Sequence, residues 1–78
     1  MARGYGVMTL LQQRLELESA LISVEEDLEY NTKIYDTYGD YAHKHVVNKL
    51  ITHLLSLREE YKLFGVNHTK EQYPEIWI

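Results

Sequence analysis

Residues 46–64, VVNKLITHLLSLREEYKLF, carry more apolar positions than one helix–helix seam can use. Val47, Leu50, Leu54, Leu57, Tyr61 and Phe64 recur at spacings of three and four, the rhythm of a helix face that meets a single partner helix. Val46, Ile51 and Leu55 fall outside that row, on a second stripe. A fold built around this helix has to cover both stripes, and 78 residues is little material for it.

The first half of the chain answers one of the two rows. Leu10, Arg14, Leu17, Leu21, Val24, Leu28, Asn31, Tyr35 and Tyr38 alternate by fours and threes, with no Gly or Pro among them. Thr9 followed by Gln12 reads as a capping box. The spacing therefore predicts one helix over 9–38, roughly 45 Å long at ~1.5 Å per residue, behind a loose glycine-containing leader at 1–8. Gly39 suits the left-handed position just past a helix end, and Asp40 suits the next N-cap. So short a turn sends the chain back antiparallel. A second helix is expected over 41–64, ended by Gly65.

The fold expectation is all-α: one domain, a long antiparallel αα-hairpin. Residues 65–78 hold the only tryptophan and close on Ile76, Trp77 and Ile78. Thr69 can cap a short turn that Pro74 stops. A disordered tail is usually polar, so this one is expected to dock. Arg14 and Asn31 are polar intruders in the seam of the first helix. Such residues either fix register and partner number or reach water where the hairpin frays.

Pairing the two heptad rows leaves Leu11, Leu15 and Ile22 on the first helix and Val46, Ile51 and Leu55 on the second. Each side chain of this size left in water forgoes ~1.5–3 kcal/mol, which is large against the stability of so small a domain. The chain has no cysteine, so neither a disulfide nor a thiolate zinc site can staple it. The economical cover is a second copy of the hairpin, giving a four-helix bundle by two-fold symmetry, with the tail as the other source of cover.

Reactive constellations are sparse. Glu25, Glu26 and Glu29 spell E-E-x-x-E, which resembles the first half of the signature of MazG-like nucleotide pyrophosphatases. That resemblance implies a magnesium held on carboxylates, but its second half, E-x-x-D, is missing: Glu59 and Glu60 are followed by Lys62 and Leu63. Of the histidines, His43 and His45 point to different sides of a helix, and His45 and His53 stand two turns apart. Asp40 can approach His43, while His68 lies in the tail. No four-ligand metal site follows from these positions. Ser19, Ser23 and Ser56 are mid-helix, without a nucleophile elbow. The expectation is a protein that is not an enzyme and that needs neither metal nor cofactor.

The compositional signal is tyrosine, seven of 78 residues, with Tyr30, Tyr35, Tyr38 and Tyr41 around the turn. Tyrosine suits surfaces that are apolar in body and wet at the tip, as protein interfaces are. Tyr35, Tyr38, Tyr41, His43 and the tail's Trp77 are the candidates for binding a partner. The net charge of −4 and eight scattered basic residues argue against direct binding to nucleic acid or to an acidic membrane surface. No apolar run approaches the roughly 20 residues that span a bilayer, and the start does not read as a signal peptide. The expected location is the cytoplasm, by size-level analogy the host cytoplasm of a bacterial virus. The expected function is that of a small self-associating adaptor or inhibitor that binds a larger, unidentified protein. The alternatives are a ligand-binding helical oligomer with a pocket lined by the tyrosines and His43, a scaffold subunit and, most distantly, the MazG-like nucleotide pyrophosphatase that the E-E-x-x-E resemblance implies.

Overall fold

The computed structural model describes residues 2–77, with side chains from residue 9 onward. Met1 and the Ile78 of the expected docking tail lie outside the described residues. Two long helices, α1 (Ala2–Tyr38) and α2 (Tyr41–Asn67), pack against each other as a hairpin, followed by a short 3₁₀ helix at Pro74–Ile76. No strand occurs among the described residues. The long axis of 55 Å is the length of α1 itself, 37 residues at ~1.5 Å each.

α1 ends at Tyr38 and α2 starts at Tyr41 as expected, while the start of α1 and the end of α2 run past their expected positions. The helix begins at Ala2, so the stretch expected as a leader is part of α1 and Thr9 lies inside it. Extending a formed helix adds a hydrogen bond for each residue fixed, whereas nucleating one does not. Two glycines at about 1 kcal/mol each are then tolerable in the absence of proline. At the other end, α2 continues through Gly65 to Asn67. It stops at His68, whose backbone leaves the helical region with φ −135° and ψ 68° while its N–H closes on the Phe64 carbonyl at 2.9 Å.

The turn follows its sequence. Gly39 has φ 65°, and a Cβ there meets nothing within 4 Å, so the demand for glycine is purely conformational. Its N–H bonds the Tyr35 carbonyl at 2.7 Å. Asp40 accepts from the Ala42 N–H at 3.0 Å and caps α2.

The seam is the core. Val24, Leu54 and Leu57 are buried at its centre, with Leu17, Ala20, Leu21, Leu28 and Leu50 packed around them. Asn31 does not reach across: its Nδ2 donates to the Asp27 carbonyl of its own helix at 2.8 Å. A contact between two cylinders covers one stripe of each, and the core is correspondingly thin.

The open end of the hairpin is closed by the tail, which docks on the chain's own helices. Thr69 accepts from the N–H groups of Gln72 and Tyr73, forming the short turn, and Pro74 then opens the 3₁₀ helix. Ile76 is completely buried, with 0% exposure. Trp77 donates its indole N–H to the His68 carbonyl at 2.6 Å and lies against Tyr61 and Phe64, ring centroids 6.1 and 6.0 Å away. His68 sits between Phe64 and Tyr73, at 4.5 and 5.4 Å.

Arg14 is the clasp. Its guanidinium donates to the Ile76 carbonyl, lies 5.3 Å from the Trp77 ring centroid and approaches Glu18 at 3.7 Å. Its Nε is buried with no hydrogen-bond partner among the described residues. Tyr61 donates to Glu18 at 2.5 Å. Burial first, and the Glu18 carboxylate second, push the Tyr61 phenol above its ordinary range. The polar intruder in the seam thus holds neither register nor water: it holds the tail.

Arg14→Gln removes a charged donor to a buried carbonyl and is expected to weaken tail docking by about 1.5–3 kcal/mol. Trp77 emission should shift to the red and the amides of Ile76 and Trp77 should lose exchange protection, with far-ultraviolet helicity retained. An unchanged Trp77 spectrum would assign the tail's order to Ile76 burial alone.

Candidate functional site

The residues expected to bind a partner divide between the two ends of the molecule. Tyr35, Tyr38, Tyr41 and His43 cluster at the turn. Trp77 packs beside Arg14, about 36 Å away along α1 by the helical rise. It is half-buried and committed to the tail's internal contacts, so it belongs to no site shared with the tyrosines.

At the turn, Tyr38 and Tyr41 are 77% and 83% exposed, while Tyr35 is half-buried against the seam. Tyr30, one turn or more below, is also exposed. The Lys44 ammonium lies 5.8 Å from the centre of the Tyr41 ring. His43 is held by Asp40, Nδ1 to Oδ2 at 2.9 Å. The Ala42 N–H and then His43 hold the Asp40 carboxyl below the usual carboxylate value of 3.8. These contacts give the turn a defined shape with two aromatic rings standing in solvent.

The leftover apolar residues form a surface. Leu15, Ile22, Ile51 and Leu55 are exposed and Leu11 is half-buried. On α1 they belong to the row Leu11, Leu15, Glu18, Ile22, Glu25, Glu29; on α2, to the row Ile51, Leu55, Arg58, Lys62, Val66. Glu25 and Arg58 form an ion pair across the seam at 3.7 Å. Both rows therefore flank the seam on one broad face of the hairpin. Val46 is the exception. At ~100° per residue it stands about 140° round α2 from Ile51, in a row with His53 and Glu60, and so on the opposite face. That face is more polar, with a shallow depression of about 330 Å³ lined by Gln13, Glu16, Leu17 and Glu60.

The carboxylates and histidines stay apart. Glu25 pairs with Arg58, and Glu29 with Lys33 at 3.3 Å. Among the described residues no three His, Asp or Glu side chains gather closely enough to hold a metal ion. No described helix is long and apolar enough to cross a membrane. Sequence reasoning missed Arg14, Glu18, Tyr61, His68 and Tyr73 as one connected group around Trp77. Only the presence of a charge in an otherwise apolar row pointed to it.

No protein-family model, no curated protein and no solved structure matches this chain. Function rests on the geometry alone.

Because the folded-state carboxyl of Asp40 is depressed, its capping contribution is complete above 3.8 and is lost as pH falls through the lower folded value. The melting-temperature gap between wild type and Asp40→Ala is expected to close as pH is lowered below about 3.8. A gap independent of pH down to 2 would remove the carboxylate from the cap.

Proposed function

We propose that this protein is a non-catalytic protein-interaction module, an adaptor or inhibitor that acts in the cytoplasm as a self-paired hairpin and grips a larger protein with its turn end. The observation that carries this reading is the pair of tyrosines in solvent, Tyr38 and Tyr41, on a turn fixed by Gly39 and the Asp40 cap. Tyrosine offers a large amphipathic contact area with few rotatable bonds, so ordering it in an interface costs little entropy. A rigid tip adds pre-organisation, the main lever on affinity once contacts are fixed. His43 and Lys44 supply polar rim groups beside the rings.

The test replaces Tyr38 and Tyr41 together by alanine and, separately, puts a photo-crosslinking residue at position 38. A partner recovered from the native lysate by crosslinking at position 38 should be lost from the double variant at least ~30-fold, a few kcal/mol for aromatic anchors. The helical spectrum and melting temperature should stay at wild-type values. Equal recovery by wild type and double variant would overturn the reading.

A further inference from the structure

The hairpin has one apolar broad face and one polar one, and the ion pair that crosses the apolar face is an acid of α1 with a base of α2. α1 contributes Glu18, Glu25 and Glu29 to that face, of which Glu18 pairs with Arg14 and Glu29 with Lys33 of the same helix, while Glu25 pairs with Arg58 of α2, which also contributes Lys62. The whole helices repeat the bias: seven acids against three basic residues in α1, four basic residues against two acids in α2. We infer that this face takes a second copy of the chain, related by a two-fold axis parallel to the helices, so that α1 of one copy lies on α2 of the other.

Two isologous ways of stacking the hairpins face to face are open. With the two-fold axis across the helices, α1 lies on α1 and its acids oppose acids. With the axis along the helices, each α1 lies antiparallel on the other copy's α2, and acids oppose bases. A rotation about that second axis leaves the height of every residue unchanged. The ion pair at 3.7 Å places Glu25 and Arg58 at one height within a chain. The same two groups of the second copy then arrive opposite them with the signs reversed. The two pairs close into a network of four charges, each acid flanked by two bases and each base by two acids. Leu15 and Ile22 lie to one side of this network and Leu55 and Ile51 to the other along the helices. The product is an up-down-up-down four-helix bundle.

The size of the face agrees. Where both helices are present the face is as long as α2, 27 residues or about 40 Å, and 18 Å wide, about 700 Å² in projection and close to the ~800 Å² per partner of a standard stable interface. Exposures of 49% for Leu15, 57% for Ile22, 41% for Ile51 and 58% for Leu55 leave apolar area to be buried there. The tail is anchored by Arg14 and Trp77 in the seam's open end, and with it in place Ile22, Ile51 and Leu55 remain exposed. This inference specifies the self-pairing assumed in the proposed function. It is read from mass, whereas partner capture through Tyr38 and Tyr41 is read separately, so either can fail alone.

Native mass spectrometry of wild type from 100 µM to 1 µM should give a dimer. Leu55→Glu should give a monomer of unchanged helicity, its dissociation constant raised at least ~100-fold because the two-fold axis makes each substitution act twice. Ile22→Glu, on the other helix of the face, should do the same and serves if Leu55→Glu loses helicity. The double variant Glu25→Arg with Arg58→Glu should self-pair as well as wild type. Mixed with isotope-labelled wild type it should form almost no mixed dimer, since like charges then meet at both crossings. A wild-type monomer at 100 µM, or a dimer indifferent to both Leu55→Glu and Ile22→Glu, would overturn the assignment of this face. Mixed dimers at or above the statistical share of about half would overturn the axis, because α1-on-α1 stacking favours mixing.

Discussion

Two helices in contact can hide only one stripe of each from water, and everything else about this protein follows from having more apolar residues than that. The hidden stripes meet at Val24, Leu54 and Leu57. Beyond this centre the seam has no third layer to fill it, so each end is finished by a separate device. At one end the chain turns through Gly39 and restarts on the Asp40 cap. At the other, the tail folds over the opening and drops Ile76 into it.

The second closure is the more demanding, because a short irregular segment brings polar backbone with it. A buried carbonyl needs a donor, and the one at Ile76 has the Arg14 guanidinium. The same group lies beside the Trp77 ring and near Glu18, which also receives the Tyr61 hydroxyl. One cation thus satisfies a carbonyl, an aromatic face and a carboxylate in a half-buried corner where each interaction is stronger than in water. The turn end has no comparable network. Its rings stand in solvent, and the division gives the molecule a closed end and an open, aromatic one.

Most of the architecture was legible because it rests on periodicity. The rows through Leu17, Leu21, Val24 and Leu28 and through Leu50, Leu54 and Leu57 needed only spacing to be read as facing helices, and Gly39–Asp40 needed only local conformational preference. What escaped the reading depended on distance along the chain or on a third dimension. The role of Arg14 lies in a carbonyl 62 positions away. Trp77 reads from sequence as part of a docking tail and equally as a partner-binding aromatic, and its indole bond to the His68 carbonyl shows it to be internal. Val46 neighbours Val47 in sequence, yet the helical repeat carries it to the face opposite Ile51 and Leu55. The early start of α1 escaped because propagation from a formed helix overrides the weak local preferences of Gly4 and Gly6.

Small-angle X-ray scattering tests the central claim, that the excess apolar face is spent against a second hairpin lying alongside the first. One hairpin has a radius of gyration of 16.7 Å and a mass of 9.3 kDa. Two hairpins stacked side by side at a helix-layer spacing of ~10 Å double the mass while raising that radius only to about 17–18 Å. Forward scattering of a dimer with such a radius is the predicted result. A single hairpin's mass, or a doubled mass with a radius near ~30 Å from end-to-end joining at the turns or tails, would contradict it.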